Sequence, residues 1–135
     1  MAAMISSRGR YALRVMADLA QQDPENPVPL KEIAVREELS QKYLEAIMTT
    51  LSKGGLVTGI HGKGGGYRLV KRPEDYSLGE ILRVTEGSLA PVACLSEGSA
   101  PCARCTPCPT LPVWEKLERL VQDYLDSVSL RDILA

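Results

Sequence analysis

Phenylalanine is absent from this sequence, tryptophan and histidine occur once each, and no apolar run approaches the length needed to span a bilayer. Each gap excludes something. With Trp114 alone and no Phe, the interior has to be mostly aliphatic. A cysteine nucleophile would want an imidazole partner, and the sole imidazole, His61, lies in a glycine-rich turn. No carboxylate pair sits in a recognisable pocket motif either, so the chain does not read as an enzyme. Arg8, Arg10 and Arg14 interrupt the region where a secretory signal would carry its apolar core, and the expected location is cytoplasmic. Thiols stay reduced there, so cysteines read as metal ligands or redox groups before they read as disulfides.

What is present is uneven. The 135 residues suit one compact domain with an appended dimerisation element. Residues 1–72 hold 11 Lys and Arg against 7 Asp and Glu, while residues 73–135 hold 5 against 10, beneath a net charge of −1. A basic front and an acidic back suit a nucleic-acid-binding head with a solvated tail.

Periodicity divides the chain further. A first helix is expected from Arg8 to Gln22, with Ala12, Val15, Met16, Leu19 and Ala20 on one face, stopped by Asp23-Pro24-Glu25-Asn26-Pro27. A short second helix is expected over Leu30 to Glu37, with a tight turn at Glu38-Leu39. Ser40 then caps a third helix that runs to Lys53 with Leu44, Ile47, Met48 and Leu51 inward, and Gly54-Gly55 ends it. Strands at Leu56 to Ile60 and Tyr67 to Val70 flank the turn His61-Gly62-Lys63-Gly64-Gly65-Gly66, a hairpin signal. Ser77-Leu78-Gly79-Glu80 reads as a capping box opening a fourth helix. A last helix, about Val113 to Asp126, carries Trp114, Leu117, Val121, Tyr124 and Val128 at coiled-coil spacing, widened by Leu120 and Leu125.

Helix, short helix, turn, helix, glycine-rich hairpin is the order of a winged helix-turn-helix. The fold expected is therefore mainly α with a small β-hairpin wing and a long C-terminal helix. In that arrangement the third helix enters the major groove. Its outward residues are Ser40, Gln41, Lys42, Glu45 and Thr49, with Tyr43 at the edge. Gln can pair bidentately with adenine and Glu can accept from cytosine. Arg8, Lys31 and Lys42 are candidates for phosphate contacts. At the wing tip Lys63 lies among glycines, of which Gly64 and Gly65 let the main chain come close to a backbone or groove. His61 is either a groove contact or a solvated loop residue. A Walker-type loop is excluded, because Gly62 to Gly66 lacks the Lys-Ser/Thr ending.

All four cysteines fall within 15 positions, as Cys94-x7-Cys102-x2-Cys105-x2-Cys108 followed by Pro109. Four thiolates can close a tetrahedral zinc site or hold an iron–sulfur cluster. The C-x2-C-x2-C run and its proline are like bacterial ferredoxin ligation. Zinc remains open on the residues alone.

The segments Gly9-Arg10-Tyr11-Ala12-Leu13-Arg14, Leu39-Ser40-Gln41-Lys42-Tyr43-Leu44-Glu45, Gly62-Lys63-Gly64-Gly65-Gly66-Tyr67-Arg68-Leu69 and Val113-Trp114-Glu115-Lys116-Leu117 together resemble the Rrf2 family of bacterial regulators. That group includes the iron–sulfur cluster regulator and nitric-oxide-sensing repressors. The resemblance covers nearly the whole chain. It implies a winged head over residues 1–86, a cluster-binding loop over 87–112 and a dimerisation helix with tail over 113–135. It also implies a homodimer with crossed last helices, each protomer reading half of a palindrome in double-stranded DNA.

In cluster-bearing members three loop cysteines are ligands, and Cys94, Cys102 and Cys108 match them in order. The family's fourth ligand is a histidine just after the third cysteine, or an acidic residue from the partner's first helix. Here Leu111 and Arg10 stand near those places, which makes Cys105 the candidate, with Glu97 or a partner-chain group as alternatives. The cofactor implied is an iron–sulfur cluster, 2Fe-2S or 4Fe-4S, and its gain or loss would reorder the loop ahead of the dimer helix. His61 departs from the wing arginine of many members.

Overall fold

In the computed structural model, which describes residues 5–95 and 108–134, four helices and a hairpin form a head and a fifth helix leans on it. Helix α1 spans Ser7–Ala20. Ser6 caps it by accepting the Gly9 N–H at 3.2 Å, satisfying one of the donors that a helix start leaves open. Ala12, Val15, Met16 and Leu19 are buried. The helix stops two residues short of Gln22, because Gln21 and Gln22 donate to Asp18 and Leu19 in a tighter turn before Pro24.

Helix α2 covers Leu30–Glu37, and α3 covers Gln41–Lys53. Between them Glu38 takes a left-handed φ of 55°. The Leu39 N–H then reaches back to the Ala34 carbonyl at 3.0 Å, which closes α2 and turns the chain into α3. Leu44, Ile47, Met48 and Leu51 on α3 are fully buried. Each such aliphatic side chain stabilises the fold by roughly 1.5–3 kcal/mol, which makes α3 the best-anchored element of the head. At its end Gly55 alone turns left-handed, with φ 75°. Gly54 serves closeness instead: a Cβ there would meet the Val84 side chain of the fourth helix at 2.5 Å.

Strand β1 (Val57–Ile60) pairs antiparallel with β2 (Gly66–Leu69), Val57 opposite Leu69 and Ile60 opposite Gly66. Strand β1 is one residue shorter at the base than the sequence suggests, and β2 is shifted by one residue toward the tip. Val28, held extended between Pro27 and Pro29, adds a third rung by exchanging two bonds with Tyr67, at 2.8 and 2.9 Å.

Helix α4 spans Leu78–Glu86. Only half of its capping box forms. Ser77 accepts the Glu80 N–H at 3.0 Å, but the Glu80 carboxylate takes Lys71 Nζ at 2.8 and 3.0 Å instead of reaching back. Helix α5 spans Leu111–Ser127 and begins earlier than expected, since Pro112 is tolerated in a first turn whose N–H groups lack partners in the helix anyway.

The single seam expected on α5 divides in two. Trp114, Val121, Leu125 and Val128 are half-buried, while Val113, Leu117, Leu120 and Tyr124 stand out in solvent. Arg83 of α4 joins α5 at Asp126, 2.8 Å away. Past α5 the chain returns to the head, where Leu130 is fully buried and its N–H donates to the Tyr76 carbonyl at 2.9 Å.

Candidate nucleic-acid interface

The start of α3 combines a capped helix N-terminus with exposed polar side chains. Ser40 caps it by accepting the Tyr43 N–H at 3.1 Å, so its oxygen already serves the helix. Tyr43 is half-buried and meets the Tyr11 ring edge-on, centroids 5.9 Å apart. That contact sets the first turn of α1, which bears Arg8, beside the first turn of α3. Gln41, Lys42 and Glu45 are exposed, and none makes a side-chain hydrogen bond or ion pair among the described residues. Thr49 spends its hydroxyl on the Glu45 carbonyl at 2.8 Å. No acidic residue sits in the first turn of α3, so the positive end of its dipole is uncompensated there.

Arg8 and Lys31 are exposed on the first turns of α1 and α2, without partners among the described residues. The interface frame is held by other charges. Arg36 grips the buried Asp18 in a two-pronged pair at 2.7 and 2.8 Å, which joins α2 to α1. This bond holds the Arg36 guanidinium above its ordinary pKa. Glu37 lies beside it, and burial raises its carboxyl pKa, helped by Asp18 and opposed by Arg14 at 3.4 Å.

The wing tip is built by glycine. Gly62 and Gly64 take φ of 93° and 77°, and the Gly65 N–H closes the turn on the Gly62 carbonyl at 3.0 Å. A Cβ on Gly65 would run into the Ile60 carbonyl. His61 and Lys63 are thereby held exposed at the tip with Gly64.

Two residues that sequence patterns do not single out orient this wing. Val28 supplies the third rung. Tyr76 is buried, and its hydroxyl donates to the Leu56 carbonyl at 2.6 Å while accepting the Val70 and Lys71 N–H groups at 3.0 and 3.1 Å. Lys71 Nζ lies 4.8 Å over the same ring. A lone tyrosine after Pro-Glu-Asp carries no signal for such a pin.

Of the four cysteines, Cys102 and Cys105 lie outside the described residues, as does Glu97. Cys94 is half-buried in a short helical turn, Ala93–Leu95. Cys108 lies just ahead of α5 with Sγ 3.5 Å from Thr110 Oγ1. That hydroxyl, and then the backbone N–H groups of Thr110 and Leu111, lower the thiol pKa. A lowered thiol pKa eases the deprotonation that binding a soft metal requires, so Cys108 fits as a ligand. Among the described residues no three metal-binding side chains converge.

Among the described residues no helix is long and apolar enough to cross a membrane. A family model described as Rrf2, iron-dependent transcriptional regulator, matches residues 5–135. The chain is 35% identical over 130 residues to the HTH-type transcriptional regulator IscR of Aliivibrio salmonicida, spanning 96% of this chain and 76% of that one. It is 39% identical over 129 residues to the HTH-type transcriptional regulator CymR of Bacillus subtilis, spanning 96% and 88%. The solved structure of CymR, the global cysteine regulator of B. subtilis, aligns with a TM-score of 0.76 over 96% of this chain and 94% of that one. The structure of T. potens IscR aligns at 0.72 with 37% identity, over 96% and 84%. With matches of this extent in both sequence and shape, the chain belongs to the Rrf2 family of DNA-binding transcription regulators.

Proposed function

We propose that this regulator works as a homodimer that reads a two-fold operator through α3 and the wing, and that Cys94, Cys102, Cys105 and Cys108 hold an iron–sulfur cluster that sets its DNA affinity. The observation that carries the DNA reading is the state of the α3 face. Gln41, Lys42 and Glu45 are exposed and unengaged at a capped helix start, while the opposite face is fully buried. Gln41 and Glu45 then meet base edges, and Arg8, Lys31, Lys42 and Lys63 neutralise phosphates. Ser40 and Tyr43 hold the helix start in position, and His61, Gly64 and Gly65 carry the wing tip to the backbone or minor groove. The second copy is accommodated by Val113, Leu117, Leu120 and Tyr124, whose 4-3-4 spacing makes a continuous apolar stripe that is exposed among the described residues.

For the cluster, the support is the donor set. Two cysteines bracket the loop between α4 and α5, and one of them is biased toward thiolate. When bound, the cluster supplies a redox- and ligand-sensitive cross-link between those sulfurs. The chain's own contribution is positional: Cys108 directly precedes α5, so ordering the loop acts on the helix that bears the outward stripe. A second reading keeps the DNA function and replaces the cluster with structural zinc or a thiol switch. The likeness to CymR, described as a global cysteine regulator, favours it.

Anaerobic purification separates the two. A visible charge-transfer spectrum with iron and sulfide is expected. A colourless protein with stoichiometric zinc overturns the cluster, and one with no metal favours the thiol switch. For the head, binding to an operator duplex is expected to weaken steeply with salt; binding that salt leaves unchanged overturns the DNA reading of these residues.

A further inference from the structure

A cavity of about 550 Å³ opens between the C-terminal end of α1, with the loop after it, and the outgoing base of the wing. It takes no part in the α3 face or the cysteine segment. Its size lies within the range of small-molecule sites, ~300–1,000 Å³. Its walls are tied together in the absence of any ligand. Val28, one of its lining residues, exchanges backbone bonds with Tyr67, and the Tyr76 hydroxyl holds the N–H groups of Val70 and Lys71, which also line it.

The lining carries charges of both signs. Three cations border it, and two are already engaged: Lys71 with Glu80 at 2.8 Å and Arg72 with Asp75 at 3.0 Å. The Arg68 side chain makes no hydrogen bond or ion pair among the described residues, so it is the cation left to receive an anion. Acidic groups border it as well. Asp23 and Glu74 border the cavity, and Glu74 makes no hydrogen bond or ion pair among the described residues. Helix α1 ends there with no basic residue in its last turn, so the negative end of its dipole adds to them. Leu19, Val28, Leu69 and Val70 add an apolar surface.

We infer that this cavity binds a small amino carboxylic acid with an aliphatic body. Its carboxylate pairs with Arg68, its ammonium faces Glu74 and the end of α1, and its hydrocarbon covers Leu69 and Val70. A guanidinium without a partner is suited to a planar carboxylate. The occupant touches both the α1–α2 loop and the wing base. On the reading that the wing contacts DNA, its binding is therefore linked to operator affinity, and the linkage is reciprocal.

The test needs no DNA, so it stands or falls apart from the operator reading. The methyl signals of Leu19, Val28, Leu69 and Val70 in the full-length protein are followed by NMR while leucine, 6-aminohexanoate, hexanoate and hexylamine are added separately. Saturable shifts are expected for at least one of the two amino acids, with hexanoate and hexylamine weaker by about tenfold or more, the scale of one lost charge-assisted bond. Arg68→Met should weaken the amino acid about tenfold and Glu74→Gln should weaken it less. Arg119→Met, on the exposed side of α5, should leave it unchanged, all three variants keeping the parent melting temperature. No shift with either amino acid overturns the site. Equal binding of hexanoate overturns the amino-acid class, and full binding by Arg68→Met overturns the assignment of the carboxylate.

Discussion

Arg36 and Asp18 form the one charged pair among the described residues that reaches into the core of this head: Asp18 is 5% exposed and receives two guanidinium bonds, at 2.7 and 2.8 Å. The pair fixes the angle between α1 and α2, and α2 in turn sets α3 through the turn at Glu38. Asp18→Ala removes both bonds and leaves Arg36 partly buried beside Glu37. A loss of roughly 1.5–3 kcal/mol is expected, the range for bonds to charged groups, measured by urea unfolding. Operator binding should fall evenly across sequences, because orientation is disturbed and base contacts are not.

Glu37 makes stability respond to pH in the less familiar direction. Burial raises its folded-state pKa above the unfolded value, chiefly by desolvation and also through Asp18. Its contribution is therefore fully present below the ordinary glutamate pKa and lost as pH rises through the raised one. Glu37→Gln should flatten that descending limb in urea midpoints taken across the mildly acidic range. An unchanged limb would show that Glu37 titrates normally.

Tyr76 joins three segments with one hydroxyl. Tyr76→Phe keeps the ring and strands the Leu56 carbonyl and two N–H groups at the wing base. The expected cost is about 1–3 kcal/mol. Amide exchange should quicken at Val70 and Lys71 before it quickens in α3, since α3 keeps its own buried face.

Glu45 and Lys63 are expected to fail differently. Glu45→Ala should relax base preference at one operator position by about 1–3 kcal/mol while leaving the salt slope intact. Lys63→Ala should weaken all duplexes alike and reduce the slope by about 1. Affinities on a set of single-base operator variants at several salt concentrations distinguish them.

The outward stripe of α5 should hold the second copy. Leu117→Glu combined with Tyr124→Glu places two charges in it, and a shift to monomer by sedimentation is expected with the head still folded. A dimer that survives both changes sits on another surface.

Much of the head was legible because its signals are local. Pro29 and the turn at Glu38-Leu39 bound α2 at Leu30–Glu37 as expected, and Ser40 caps α3 by accepting the N–H of Tyr43, three residues on. Errors came where a local motif met a distant competitor. Glu80 has the spacing of a reciprocal cap, yet Lys71 captures its carboxylate, because an ammonium is a stronger partner than a backbone N–H. The α5 pattern held two interleaved stripes, and only the position of α4 decides which one the head half-covers. Leu130 looked like tail and is core.

For the interface, residue order and type were enough to settle a winged head, a polar α3 face and a glycine-built tip, since helix periodicity, caps and left-handed turns depend on neighbours a few positions apart. The carriage of the wing was not readable that way. It rests on Val28 pairing with Tyr67 and on Tyr76 bonding Leu56, Val70 and Lys71. Those contacts join separate segments of chain, and their energy exists only once the core has brought the segments together.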